Sequence, residues 1–131
     1  MNAIDLCSDL TARKSKLAVV GLGYVGLPLA VQFAKHYDVI GFDTNEKKVA
    51  RYKAGVDVTG EAGDAALKET DCQFTAQEEA LKDARFFVIA VPTPLNGDNT
   101  PDLTAVKEAT ALVARHLSRG SIVVYESTVY P

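Results

Sequence analysis

An apolar run, Leu17-Ala18-Val19-Val20, breaks directly into Gly21-Leu22-Gly23-Tyr24-Val25-Gly26, and a second apolar run ending at Phe42 closes on Asp43. Glycines at this spacing leave the backbone little choice: a buried strand must turn sharply into a helix. Gly21 permits the tight turn, Gly23 lets backbone N–H groups approach a pyrophosphate, and Gly26 lets the helix pack closely on the strand. The helix N-terminus then offers unpaired N–H donors and the positive end of its dipole.

The residues on either side agree with that reading. Around and after Gly26, Val25, Leu29 and Phe33 recur at helical spacing beside the small Ala30 and Ala34, and Pro28 falls near the first turn, where a missing N–H costs least. Asp38-Val39-Ile40-Gly41-Phe42-Asp43 reads as a second buried strand. Asp43 arrives about 20 residues after the glycines, the spacing of a carboxylate on the adenosine ribose of a dinucleotide. A plain structural βαβ unit with an incidental aspartate is the bland alternative. A carboxylate there accepts hydrogen bonds from both ribose hydroxyls and repels a 2′-phosphate, and Thr44 stands where an NADP site more often places Arg. NAD is therefore the favoured cofactor. Lys48, early in the next helix, either reaches the adenosine side or is a solvated surface lysine.

Strand and helix alternate along the rest of the chain. Helices are expected over 24–36, 46–54, 77–82 and from Thr100 onward, with a shorter one over 65–69 in the glycine-bearing stretch 55–71. Gln73-Phe74-Thr75 is a short strand, and Phe86 to Val91, apolar throughout, is a strand buried on both faces. Thr100-Pro101 has the form of an N-cap with Pro at the first helical position. The helix it opens carries Leu103, Val106, Thr110, Val113 and Leu117 on one face and stops at Gly120. Ser121 to Tyr125 is the last strand. Such alternation demands a parallel sheet with helices on both faces, an α/β Rossmann-type doubly wound fold of strand order 3-2-1-4-5. Ligands of these sheets bind beyond the carboxyl ends of the strands where the winding reverses, here between strands one and four. The glycine turn, Asp43, Pro92-Thr93 and Ser127-Thr128 each follow a strand's carboxyl end, so all are expected to line one crevice.

Residues 91–102 form a long connection of the kind that often serves as a binding loop. The Thr93 hydroxyl is placed to meet the cofactor near the nicotinamide ribose or pyrophosphate, unless the segment is only a rigid surface turn. Ser127 and Thr128 either touch the nicotinamide end or cap the strand.

Composition limits the alternatives. With 131 residues, 47 % hydrophobic and 24 % charged, the chain suits one soluble domain with a real core. A net charge of −3 without a basic cluster speaks against a nucleic-acid or anionic-membrane surface. No apolar stretch approaches the length of a membrane span. Residues 1–15 read as a flexible leader, neither signal peptide nor anchor, before a domain over 16–131, and a cytoplasmic location follows. Cys7 and Cys72 form neither a metal signature nor a redox pair, so no metal is expected. His36 and His116 fall near helix ends, where positive charge is favourable.

Together, GLGYVGLPLA, the VPTP loop and the YESTVYP tail resemble the amino-terminal, NAD-binding domain of the UDP-glucose/GDP-mannose dehydrogenase family, the nucleotide-sugar 6-dehydrogenases, over about Lys16 to Pro131. VTGE (Val58 to Glu61) and VVYESTVYP (Val123 to Pro131) most resemble the branch acting on UDP-N-acetylhexosamines in polysaccharide synthesis. The resemblance implies oxidation of the sugar C6 alcohol to a carboxylate with two NAD. It places Gly21, Leu22, Gly23, Tyr24, Val25 and Gly26 at the pyrophosphate, Asp43 and Lys48 at the adenosine side, and Val91, Pro92 and Thr93 at the middle of the cofactor. Ser127 and Thr128 would lie at the nicotinamide, Thr128 in a supporting catalytic role. The family's nucleophilic cysteine, its sugar-binding domain and its dimer-forming helix have no counterpart among these residues, so the chain by itself is expected to bind NAD without turning over a UDP-sugar. The longer protein would be a homodimer. Two other readings stay open: a stand-alone NAD-binding or sensing module, and the cofactor half of a hydroxyacid-type dehydrogenase.

Overall fold

Strands take up the two β-rich apolar runs as expected. A computed structural model describes residues 8, 10, 12, 15–57, 60, 63–93, 96–100, 102–117 and 119–126. In chain order the elements are β1 (Lys16–Val20), α1 (Gly26–Phe33), β2 (Val39–Phe42), α2 (Glu46–Lys53), α3 (Asp64–Glu69), β3 (Gln73–Thr75), a 3₁₀ helix (Glu78–Asp83), β4 (Ala84–Ile89), α4 (Thr104–Ala114) and β5 (Ile122–Tyr125). The sheet has five strands in the order β3-β2-β1-β4-β5, every neighbouring pair parallel. This is the α/β Rossmann-type arrangement expected from the sequence.

Successive side chains of a strand point to opposite faces, and both faces here are covered. Leu17 and Val19 of β1 and Val88 of β4 pack with Leu27, Ala30 and Val31 of α1 and Val49 and Tyr52 of α2 in one core layer. Ala18 and Val20, with Ile40, Phe42, Phe87 and Ile89, pack on the other face with Leu81 of the 3₁₀ helix and Ala109 and Val113 of α4. Leu10 adds to the first layer from ahead of β1.

Several local expectations are revised. The buried stripe of α1 is Leu27, Ala30 and Val31, continued by Ala34; Leu29 and Phe33 are only partly buried, and Val25 is 50 % exposed. The stripe is rotated by about one position from the one the sequence suggests, so that Leu27 and Val31, with the small Ala30 and Ala34, face the sheet in place of Leu29 and Phe33. Residues 78–83 wind as a 3₁₀ helix, not an α-helix. Thr100 does not open α4. Its hydroxyl and its N–H both donate to Asp98 Oδ1, at 2.6 and 3.1 Å, which ties it into the preceding turn. The helix starts at Thr104, whose N–H donates to Asp102 Oδ1 at 3.0 Å. Pro101 lies outside the described residues. Gly120 does not end α4 either: the helix finishes at Ala114, and Gly120, at φ +87°, turns the chain toward β5. On α4 the inward residues are Ala109 and Val113, and Leu117, past its end, is exposed.

One contact fixes how α1 leaves β1. A Cβ at Gly26 would lie 1.6 Å from the Gly21 carbonyl oxygen. Gly21 itself sits at φ +99°, a conformation that side chains rarely adopt. Gly26→Ala is therefore expected to cost about 2 kcal/mol or more of unfolding free energy, the scale of overpacking against backbone that cannot step aside. Urea denaturation measures this, and an unchanged midpoint would mean that turn and helix separate freely.

Candidate dinucleotide cleft

Above the β1–β4 junction, where the winding of the sheet reverses, the chain forms a cleft of about 840 Å³. Its walls are the segments leaving β1, β2, β4 and β5, and each is held by the sheet's own hydrogen bonding. The ladder runs one residue past the strands: Gly21 N–H donates to the Phe42 carbonyl (2.8 Å), Asp43 N–H to Thr75 (3.2 Å), Ala90 N–H to Val20 (2.8 Å) and Glu126 N–H to Ile89 (2.9 Å). The lining residues therefore start from rigid positions.

Most of the expected site residues converge here. Gly21 through Val25, Asp43, Lys48 and Val91 through Thr93 all line the cleft. Gly26 does not; it lies beneath, against Gly21. Ser127 and Thr128, along with Pro94 and most of the VTGE segment, lie outside the described residues.

The floor of the cleft is the N-terminus of α1, and no side chain caps it. By contrast, Asn45 Oδ1 accepts the Lys48 N–H at 3.1 Å and closes the first turn of α2. The amides of Gly23, Tyr24 and Val25 have no acceptor among the described residues. At Gly23 a Cβ would meet nothing within 4 Å, and its φ lies outside the left-handed region. Neither the backbone nor the packing of this chain calls for glycine there. Open space above unpaired donors at a helix N-terminus fits a diphosphate.

Asp43 stands at one end of this floor. Its Oδ2 accepts the Leu22 N–H at 3.0 Å and pairs with Lys48 Nζ at 3.2 Å, while Oδ1 accepts the Asn45 N–H at 2.9 Å. Lys48 is accordingly no free surface lysine: its side chain is 26 % exposed and turned to the carboxylate. Thr44 lines the rim beside Asp43. A short carboxylate at this end, with no arginine among the described residues lining the cleft, matches a ribose diol better than a ribose phosphate.

Sequence reasoning missed two contributions. One wall comes from α4, through Ala105, Glu108 and Ala109; the Ala105–Ala109 spacing, at one helical turn, was the available signal. The other is Tyr52 on α2. It is 1 % exposed, and its hydroxyl donates to the Leu22 carbonyl in the glycine turn at 2.7 Å. Their separation of 30 positions left no local pattern to read.

Outside the cleft, Glu78 pairs with Arg115 at 2.8 Å and with His116 at 3.3 Å. Those partners, Arg115 first, hold the Glu78 carboxyl below its usual range. Cys72 is buried, and no group of three His, Cys, Asp or Glu among the described residues is arranged to hold a metal. No helix among the described residues is long and apolar enough to cross a membrane.

The fold and the cleft define a dinucleotide-binding α/β domain. Residues 15–131 match the UDP-glucose/GDP-mannose dehydrogenase family, NAD binding domain. The chain belongs to this family, as its NAD-binding domain, and its cofactor is NAD. It is similar to the UDP-N-acetyl-D-glucosamine 6-dehydrogenase of Salmonella typhi, 50 % identical over 117 residues that make up 88 % of this chain and 28 % of the relative. The enzyme of the same name from Pseudomonas aeruginosa is 47 % identical over the same shares. The structure is similar to that of a UDP-D-ManNAc dehydrogenase from Pyrococcus horikoshii, with a TM-score of 0.82 and 38 % identity over 88 % of this chain and 29 % of that one. A glycerol-3-phosphate dehydrogenase from Coxiella burnetii, 14 % identical with a TM-score of 0.61, shares the fold alone. Family membership sets aside the hydroxyacid-type alternative. The chain spans under a third of the length of the curated relatives it matches.

Burial makes the site's phenol a persistent donor. Burial first, then the charges of Asp57 and Asp43, push Tyr52 from 10.0 up to about 12. The folded state thus holds this proton more tightly than the unfolded chain. The stabilisation is complete below pH 10 and is lost as pH rises from about 10 to about 12. Burial likewise pushes Cys72 from 9.0 up to about 12, so its loss begins lower, near pH 9. Unfolding free energy measured by urea between pH 8 and 11.5 is expected to fall. Cys72→Ala should remove the earlier part and Tyr52→Phe the later part, whereas a flat profile in the unmutated protein contradicts both assignments.

Proposed function

We propose that this chain is the coenzyme-holding part of a nucleotide-sugar 6-dehydrogenase that oxidises the C6 alcohol of a UDP-N-acetylhexosamine to a carboxylate, consuming two NAD. The observation that carries this reading is the convergence of three separate strand ends on one cleft: the glycine turn after β1, Asp43 after β2 and Val91–Thr93 after β4. Relatives named as UDP-N-acetylhexosamine dehydrogenases, at 37–50 % identity, support the substrate class.

In this reading NAD supplies the hydride acceptor, and the chain's own residues bind and orient it. The amides of Gly23, Tyr24 and Val25 receive the diphosphate. Asp43, oriented by Lys48 and by the Leu22 and Asn45 amides, takes the adenosine ribose diol. Val91, Pro92 and Thr93 form the wall along the middle of the cofactor, and Gly21 and Gly26 hold the turn in shape beneath it. Ser127 and Thr128 belong at the nicotinamide end, Thr128 in a supporting catalytic role. The nucleotide sugar binds through further parts of the enzyme. The complete protein works as a homodimer in the cytoplasm and serves polysaccharide biosynthesis.

The cofactor choice is directly testable. Calorimetry is expected to show NAD binding about tenfold or more tightly than NADP, because the Asp43 carboxylate meets a diol in one and a phosphate in the other. Asp43→Ala should narrow that ratio by weakening NAD and relieving NADP. Equal affinities in the unmutated protein would take the selecting role away from Asp43.

A further inference from the structure

Leu22, in the middle of the glycine turn, is gripped at both of its backbone polar atoms by side chains: Asp43 takes its N–H at 3.0 Å and Tyr52 donates to its carbonyl at 2.7 Å. These two bonds act on different peptide planes. The Leu22 N–H shares a plane with the Gly21 carbonyl, and the Leu22 carbonyl shares one with the Gly23 N–H. A trans peptide is planar, with its C=O and N–H pointing in opposite directions, and no described peptide bond is cis. Drawing the Leu22 N–H toward Asp43 therefore sends the Gly21 carbonyl the other way, and it lies against the α carbon of Gly26, where a Cβ would come to 1.6 Å. By the same rule, drawing the Leu22 carbonyl down to a buried hydroxyl turns the Gly23 N–H up into the open cleft.

Tyr52 is built to hold that orientation. It is 1 % exposed, it sits on a helix whose first turn is closed by Asn45, and its ring packs on Phe74 with centroids 5.6 Å apart at 52°. We propose that Tyr52 is a positioning residue for cofactor binding: its hydroxyl fixes the Leu22–Gly23 peptide plane so that the Gly23 amide is presented to the NAD diphosphate in advance. The inference rests on the reading that the diphosphate docks on the glycine turn. Preorganisation of this kind lowers the cost of binding, because the donor need not be oriented when the ligand arrives.

The purely structural alternative is that the phenol, being buried, has merely found an acceptor. The two roles separate in the ligands they affect. A phenol that only supports the core changes the affinity of all cleft ligands alike or of none. One that aims the Gly23 amide affects only ligands carrying the diphosphate.

The test compares the unmutated chain with Tyr52→Phe, using NAD, ADP and adenosine as ligands and NMR titration as the readout. NAD and ADP are expected to weaken by about 3- to 10-fold, the effect of one neutral hydrogen bond, while adenosine affinity stays constant. Unchanged NAD affinity overturns the proposal, and so does an equal loss for all three ligands. The amide shifts of the unmutated chain give a second test that does not depend on the variant folding. On adding NAD or ADP, the Gly23, Tyr24 and Val25 amides are all expected to move. Movement of Tyr24 and Val25 without Gly23 overturns the role of Tyr52 alone; movement of none of the three overturns the docking reading beneath it.

Discussion

The close approach of α1 to the turn that precedes it depends on a missing side chain. Gly26 rests directly on the Gly21 carbonyl, where a methyl group would overlap the oxygen. With that contact made, the helix begins within a few residues of the strand end, and its unpaired amides open onto the crevice. A longer link would carry the helix N-terminus away from the sheet edge and away from Asp43. The geometry of the whole cleft thus descends from one backbone-on-backbone contact, itself permitted by the left-handed φ at Gly21.

The sheet supplies the second constraint. Because the winding reverses between β1 and β4, the segments leaving these strands diverge and leave room above the sheet. Hydrogen bonds that continue the ladder past the strand ends keep Asp43, Ala90 and Glu126 in register with the turn. Asp43 then joins the two halves of the floor. It holds the Leu22 amide and Lys48 while remaining at the edge of the cleft, so one carboxylate both shapes the turn and lines the cleft wall. The Asp43–Lys48 pair is part-buried, its side chains 13 % and 26 % exposed, and its worth lies in orienting that carboxylate.

The features legible in the sequence were those written in adjacent residues. Leu17–Val20 and the run through Ile89 announce buried parallel strands because they are apolar throughout, and the glycine turn and Asp43, each just past a strand end, meet at one cleft as their spacing suggests. The strand order followed from alternation and the handedness of crossovers. Where competing local bonds decide, sequence reading failed. Thr100-Pro101 has the composition of a helix start, but Asp98 captures the threonine and the helix waits for Asp102. In α1 the large residues Leu29 and Phe33 suggested the inner face, yet the space beneath admits Ala30 and Ala34. Tyr52 was invisible for another reason: in Glu46–Lys53 it reads as one more apolar position on an amphipathic helix, and the bond that gives it meaning reaches back across 30 residues.

A crystal structure of this chain with NAD decides whether the dinucleotide docks on the first βα turn. Diphosphate oxygens are expected within hydrogen-bonding distance, about 2.7–3.2 Å, of the Gly23, Tyr24 and Val25 amides, with the adenosine ribose on Asp43. A dinucleotide seated away from the first βα turn, or one whose diphosphate is bound by side chains while those amides stay unpaired, would contradict it.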